Sequence, residues 1–497
     1  MRISQNMIYS SSIQYMNSAL TQLARAQEEN STQKKINRPS DDPAGYAEAR
    51  KLNTIVKTLD QYSDNITTAK SWLNQADSTL VEASTVMTSI KGLATQAATG
   101  TLTAANRQQI ATQVRDLFSE MLSLANTSVS GNSIFAGQKT DGAAFTQVLS
   151  ATVKDSSLTQ DAVVSVSGAS DSSVLVHFSN SGAIGGAAGI AYAYSSDGGT
   201  TWTSRTLAAG SSTLTLGGCS VTLKNGSAVT ATGSGSGTSL TLRPSALYLG
   251  DDQDGATVRQ YGASPVSASA EGAFTGNVTV RIASNASLPG PISYSYSLDG
   301  GMNWVSGNVS SNARLPVPGG FLTLASNGGS ALAAGDQFTI VPDTAKIMVN
   351  ISPTGSVAIN NVGKDVFGGL YKAAGASNAS VVFASNAAQN VFETIGSLIG
   401  HLETNDMDGV ADDLQNLATA QAHLENAAAS VGARENRLDF ASNTISVLRD
   451  NTETSLSAVE DVDVTQALIE LSKYQYAYQS VLASSSKIMG MSLLNYL

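Results

Sequence analysis

The chain has 497 residues, too many for one compact core at the ~150 residues of an average domain, and 42% of them are hydrophobic, enough to fill several cores. Only 13% are charged, and 39 Asp and Glu against 28 Lys and Arg leave a net charge of −11, which argues against nucleic acid as a partner because phosphate neutralisation carries that binding. A single cysteine, Cys219, excludes an intramolecular disulfide, and with only His177, His401 and His423 beside it no Cys/His metal cage is expected.

From residue 1 to about 140 the pattern is helical. Tyr9, Ile13, Met16, Leu20 and Leu23 form a short apolar stripe in alternating steps of four and three. A long stripe follows through Leu52, Ile55, Leu59, Tyr62, Ile66, Ala69, Leu73, Ala76, Leu80, Ala83, Met87, Ile90 and Ala94, the pattern of a coiled-coil seam. A third runs through Ile110, Val114, Leu117, Met121 and Leu124. Between the first two, Asp42 is placed to cap the long helix and Pro43 to open it. Residues 1–6 hold no basic region followed by an apolar run, so no secretory signal peptide is expected. No run of ~18 apolar residues occurs, so no membrane insertion is expected.

From about 160 to 343 the period changes to two. Leu214-Thr215-Leu216 and Phe338-Thr339-Ile340-Val341, bounded by Gly and Asn turns, are typical of it and predict short strands. The region repeats itself. Tyr192, Asp197 and Trp202 recur as Tyr294, Asp299 and Trp304, and Gly217-Gly218 recurs as Gly319-Gly320, all at one constant offset. Two tandem β domains are expected, able to fold apart from the helices, with a linker around Asp251-Asp252-Gln253-Asp254-Gly255. Asp252-Gln253-Asp254-Gly255 lacks the closing glutamate of an EF-hand, and Gly233-Ser234-Gly235-Ser236-Gly237 lacks the lysine of a phosphate loop. Both read as solvated turns. With no Ser, Cys or His constellation either, no catalytic residue, cofactor or metal is expected.

The repeated hairpins carry a local signal. In Asp-Gly-Gly the glycines accept positive φ, the carboxylate accepts backbone N–H groups, and a following Trp can cover the turn. Ser195, Asp197, Gly199, Thr201 and Trp202 resemble the Asp-box of sialidases and related β proteins, and the second copy departs from it at Asn303. That resemblance implies structural turns remote from any active site, with Asp197, Trp202, Asp299 and Trp304 as their key residues.

From about 387 the chain is helical again. Val410, Leu414, Leu417, Gln421, Leu424, Ala428, Val431, Glu435, Leu438, Ser442 and Ile445 make one stripe. Val464, Ala467, Leu471, Tyr474, Tyr478, Val481, Ser485 and Ile488 make another. Neither end can bury its stripe alone, so the terminal helices are expected to pack on each other with the middle looped out. Tyr474, Tyr476 and Tyr478 exceed what one seam buries, which suits contact with neighbouring subunits.

Several runs together resemble the flagellin superfamily of the bacterial flagellum, in its hook–filament junction branch. They are Met1-Arg2-Ile3-Ser4, Asn37-Arg38-Pro39-Ser40-Asp41-Asp42-Pro43, Gly100-Thr101-Leu102 with Arg107, and Leu122-Ser123-Leu124-Ala125-Asn126-Thr127. To these add Ile134-Phe135-Ala136-Gly137-Gln138-Lys139-Thr140, Asp365-Val366-Phe367-Gly368-Gly369, and Val431-Gly432-Ala433-Arg434-Glu435-Asn436-Arg437-Leu438. The resemblance covers both helical ends, not the β insert. It implies a non-enzymatic structural subunit, exported by the flagellar type III route to the extracellular flagellum. Its implied partners are neighbouring copies, another hook-associated protein on the hook side, flagellin on the filament side, and an export chaperone. A flagellin-type filament subunit and an adhesin showing glycan-binding β domains on a flagellin-like stalk stay open beside it.

The expected fold is α+β: long N- and C-terminal helices forming a flagellin-like coiled-coil stalk, with an inserted all-β region of two tandem domains. The expected divisions are helical 1–145, first β domain with linker 146–262, second β domain 263–345, return β segment 346–386 and helical 387–497. The residues expected to carry assembly are Tyr9, Ile13, Met16, Leu20, Leu23, Val464, Leu471, Tyr474, Tyr478, Val481 and Ile488.

Overall fold

The computed structural model describes residues 5–154, 158–232, 237–251, 256–272, 274, 276–342, 345–372 and 378–494. The Met1–Ser4 run, the Asp252-Gln253-Asp254-Gly255 turn, most of the Gly-Ser turn at 233–236 and the side chain of Ile488 lie outside the described residues. Seven α-helices are present among them: α1 Gln5–Thr32, α2 Pro43–Ala97, α3 Ala104–Ala125, α4 Gly363–Phe367, α5 Val391–Glu403, α6 Met407–Glu460 and α7 Val464–Leu494. None is long and apolar enough to cross a membrane. The fold is α+β, with helical ends and a large β-rich middle. It forms two compact units.

One unit comprises Met1–Thr68, Asn350–Ser356 and Arg437–Leu497. In it α1 and α7 pack side by side. Ala19, Ala26, Ala467 and Ser485 are buried, and Ile13, Met16, Leu23, Leu471, Tyr474, Tyr478 and Val481 are half-buried around them. Tyr9, Leu20 and Val464 are exposed. Ala19 and Ala26 line the seam with Met16 and Leu23, and Leu20 falls beside it. The turn after α1 is tied to the α6–α7 link by Lys35 N–H to Glu460 O at 2.8 Å, Val462 N–H to Gln33 O at 3.0 Å, and Lys34 Nζ to Glu460 Oε1 at 2.7 Å. Asp42 caps α2 as expected, accepting from Ala44 N–H at 3.1 Å and Gly45 N–H at 3.0 Å.

The other unit comprises Ala69–Val349 and Val357–Asn436. Its α2 stripe is buried at every expected position from Ala69 to Ala94, and Val410, Leu417, Leu424 and Val431 of α6 are buried likewise. On α3 the buried residues after Val114 are Phe118, Met121 and Ala125, so Leu117 and Leu124 yield to their neighbours. The cause is α5, whose Phe392 meets Phe118 edge-on at 5.6 Å. This helix is buried on nearly all sides. A helix that is apolar all round shows no stripe, so the stripes begin only at Val410.

The strands form two similar sandwiches. In the first, Val174–Phe178, Ile190–Ser195 and Thr203–Leu207 extend in order from Ser239–Tyr248, opposite the sheet of Val163–Gly168, Cys219–Leu223 and Thr213–Leu216. In the second, Thr257–Tyr261, Gln337–Val341, Val278–Ile282, Ile292–Ser297 and Val305–Ser310 lie in order, opposite Val266–Gly272, Gly320–Ser326 and Arg314–Val317. Alternate residues of each strand fill one of two separate apolar cores.

Two expectations need correction. Thr257–Tyr261 pairs with Gln337–Val341 and packs Val258 on the second core, so the division at 262/263 moves to before Thr257. The first sandwich is also not separate from the helices. Ser239–Tyr248 runs on beyond its pairing with Val174–Phe178 to pair in parallel with Leu370–Tyr371, and pairs along its whole length with Phe145–Lys154. One strand thus belongs to both the sandwich and the helical base.

Candidate functional site: the junction between helices and β domains

Most motif residues of the helical ends converge where the β region leaves α3 and returns to α5. Ile134, Phe135 and Ala136 are fully buried. Asn361 N–H donates to Ile134 O at 3.1 Å and Gly363 N–H to Phe135 O at 2.7 Å. Gly137 has φ +68°, and a Cβ there would stand 2.8 Å from Asp251 O and 3.2 Å from Ala345 Cβ. Only glycine lets three chain segments meet so closely. Asn360, also buried, donates to Gly137 O at 2.9 Å and Ala345 O at 2.7 Å. Arg434 Nη1 in turn donates to Ala358 O at 3.0 Å and Asn360 O at 3.1 Å, and Nη2 to Asn361 Oδ1.

Other motif side chains substitute for strand partners. Asn126 accepts from Phe145 N–H at 2.8 Å and donates to Phe145 O at 3.0 Å. Arg107 Nη1 donates to Asn405 Oδ1 at 2.8 Å, bolting α3 to the α5–α6 turn. Phe145 packs against Phe392 at 5.0 Å and Tyr248 at 5.2 Å, and Phe135 against Phe367 at 5.1 Å.

One ion pair fixes the first sandwich to α5, and a second, between α3 and α5, also holds a backbone N–H of the sandwich. Glu393, buried, accepts from Arg243 Nη2 at 2.8 Å, from Ser150 Oγ at 3.3 Å and from Ser245 Oγ. Glu403 accepts from Arg115 Nε at 2.5 Å and Nη2 at 2.9 Å, and from Ser173 N–H at 2.6 Å. No role was expected for any of these residues. Arg243 and Ser245 look like ordinary outward positions of a period-two strand, and their acid lies far along the chain.

The repeated hairpins are held by their own side chains. Asp197 accepts from Thr201 N–H at 2.8 Å, Thr201 Oγ1 at 2.6 Å and Ser195 Oγ at 2.7 Å. Asp299 accepts from Asn303 N–H at 2.9 Å, Asn303 Nδ2 at 2.7 Å and Ser297 Oγ at 2.7 Å. The indole N–H of Trp202 donates to Gly199 O, and that of Trp304 to Gly301 O, each at 2.9 Å. Trp202 stacks on His177 with ring centres 4.4 Å apart, and Arg281 lies 4.2 Å over Trp304. Asn303 thus replaces the threonine of the first copy without loss of either bond.

Both carboxyls sit at about 2 against an ordinary 3.8, Asp197 chiefly through the Thr201 hydroxyl and Asp299 chiefly through the Asn303 backbone. A carboxyl held below its unfolded value stabilises the fold well above 3.8, and that contribution is lost as the pH falls from there through about 2. Asp197→Asn and Asp299→Asn are therefore expected to melt below the parent at neutral pH and close to it at the acid end. Thermal melts followed by tryptophan fluorescence check this. A variant that matches the parent at neutral pH would remove the structural role.

Residues 3–140 match the bacterial flagellin N-terminal helical region, and residues 414–497 the bacterial flagellin C-terminal helical region. The chain is 30% identical over 148 residues to the flagellar hook-associated protein 3 of Salmonella typhimurium, covering 30% of this chain and 47% of that protein. It is 30% identical over 127 residues to a flagellin of Clostridium tyrobutyricum, covering 26% of this chain and 34% of that one. The chain thus spans about half the length, or less, of these curated relatives. Among solved structures, FlgL of Xanthomonas campestris covers 82% of this chain and 99% of its own at 14% identity and a TM-score of 0.31. The flagellar junction protein FlgL of Legionella pneumophila covers 83% and 99% at 13% identity and a TM-score of 0.29.

Proposed function

We propose that this chain is a structural subunit of the bacterial flagellum at the hook–filament junction, assembling through its terminal helices and linking the hook to the flagellin filament. The observation that carries this reading is the match of both helical ends to flagellin helical regions, together with the similarity to a hook-associated protein 3. The α1–α7 pair supports it physically. Tyr9, Tyr15, Leu20, Ile469 and Tyr476 stay exposed on these helices, and apolar surface of this kind is what neighbouring subunits bury. The reading brings with it an extracellular location, type III export, an export chaperone, a hook-associated protein on one side and flagellin on the other. An adhesin with glycan-binding domains is less well supported, since both tryptophans are stacked and their N–H groups used within their own turns.

Electron microscopy of cells lacking the chain tests the proposal. Hooks without filaments are expected. Filaments that persist with changed composition would favour a flagellin, and intact motile filaments with lost adhesion would favour the adhesin.

The corrected division of the β region gives a second test. Asp251 and Ala345 both stand at Gly137, so residues 252–344 are expected to be removable with a short Gly linker while filament attachment persists. Removal of residues 160–343 is expected to fail, because it takes away Ser239–Tyr248 and leaves Glu393 without Arg243 and Ser245. Motility of the two excision strains checks this. Equal motility would mean that the first sandwich is dispensable to the base.

A further inference from the structure

We propose that Asn327 is a site of spontaneous modification, where the side-chain amide is lost through a cyclic imide formed with the backbone nitrogen of Gly328. The proposal does not rest on the flagellar reading.

Asn-Gly occurs twice in the chain, as Asn225-Gly226 and Asn327-Gly328, at the constant offset of the repeat. In each copy it follows the middle strand of the smaller sheet, Cys219–Leu223 in the first and Gly320–Ser326 in the second. Both asparagines are exposed. A glycine after asparagine puts no Cβ in the way of ring closure, so both sites can react and the fold decides between them.

In the first copy the reacting atoms are tied down. Gly226 N–H donates to Ile184 O at 2.8 Å, which keeps its proton on the nitrogen that would attack. Ser227 N–H closes the turn on Lys224 O at 3.2 Å. Asn225 Oδ1 lies against Gly185, where a Cβ would stand 2.5 Å from it. The second copy keeps the neighbouring anchor and drops these bonds. Leu288 N–H donates to Ser330 O at 2.7 Å, as Ile184 N–H donates to Ser227 O at 2.9 Å. Gly329 stands between that serine and the Asn-Gly pair, so Asn327-Gly328 sits one residue farther out. Asn327 N–H donates to Pro265 O at 3.2 Å, which fixes the main chain just before the side chain. Among the described residues, neither the Asn327 carboxamide nor Gly328 N–H has a hydrogen-bond partner. Space is equal at the two sites, with nothing within 4 Å of a Cβ at Gly226 or at Gly328. Bonding is what differs.

The step needs only water. The Gly328 nitrogen gives up its proton and bonds to Asn327 Cγ. The bond from Cγ to the side-chain nitrogen breaks, and that nitrogen takes the proton and leaves as ammonia. Water then opens the imide. Attack at Cγ leaves aspartate, and attack at the main-chain carbonyl leaves isoaspartate, with the chain rerouted through the side chain. Either product adds a negative charge to a domain in which Arg259, Arg281 and Arg314 balance Glu271, Asp299 and Asp336 between Thr257 and Val341. The isoaspartyl form also lengthens the main chain beside Pro265.

Peptide mapping of the full chain by mass spectrometry, after ageing in mildly alkaline buffer, reads the reaction. Asn327 is expected to convert severalfold faster than Asn225, giving two products of equal mass, aspartyl and isoaspartyl. In urea, where Ile184 no longer holds Gly226, the two rates are expected to come together. Equal rates in the folded chain, or a faster Asn225, would overturn the proposal. So would a difference that stays the same size in urea, because flanking residues and not the fold would then set it. A purely aspartyl product would rule out the imide.

Discussion

Glu393→Ala is expected to destabilise the helix–sandwich junction by about 3–5 kcal/mol, the loss found when one partner of a buried ion pair is removed and the other stays behind. Arg243 and Glu393 are 9% and 8% exposed at their side chains, so water does not replace the missing partner. Replacing both at once, as Glu393→Leu with Arg243→Met, is expected to cost much less, because no uncompensated charge remains. Urea denaturation checks this in chains that keep one of the three tryptophans Trp72, Trp202 and Trp304. The transition reported by Trp202 should move and that reported by Trp304 should not. A loss below about 1 kcal/mol, the scale of an exposed pair, would mean that the pair is effectively solvated.

Deletion of residues 465–497 is expected to abolish assembly outright while both β sandwiches stay folded. The deletion takes α7 from α1 and uncovers Ala19 and Ala26 along with the half-buried Ile13, Met16 and Leu23. It touches no residue of the two sandwich cores. Hooks bearing the truncated chain should carry no filament, and Trp202 and Trp304 should keep their native emission. Normal filament growth would show that α7 is not an assembly element.

The parts legible in the sequence were those whose partners lie close along the chain or whose pattern repeats many times. The α2 stripe from Ala69 to Ala94 falls in both classes, since each turn restates the same face. The Asp197 and Asp299 turns close within five residues, so their residue types alone specify the bonding. The Tyr9–Leu23 stripe was too short to fix its phase, and the seam runs through Ala19 rather than Leu20. Helix α5 was not visible because burial on all sides erases the period that marks a surface helix. The Glu393 cluster was hidden for another reason. Ser150, Arg243 and Ser245 obey the alternation of strands with a wet face, and only the folded chain brings an acid against that face.

The meeting of Asp251 and Ala345 at Gly137 also determines how force enters the molecule. Viscous drag on the second β sandwich pulls on both of its tethers at one place. Asp251 N–H is held by Ala136 O at 2.9 Å, and Ala345 O by Asn360 Nδ2 at 2.7 Å. The tethers are loaded in parallel, each bearing part of the tension. Asn360 is braced by Arg434 on the long helix α6, while Asp251 leads within three residues into Ser239–Tyr248, so the load divides between a helix and the strand shared by sandwich and base.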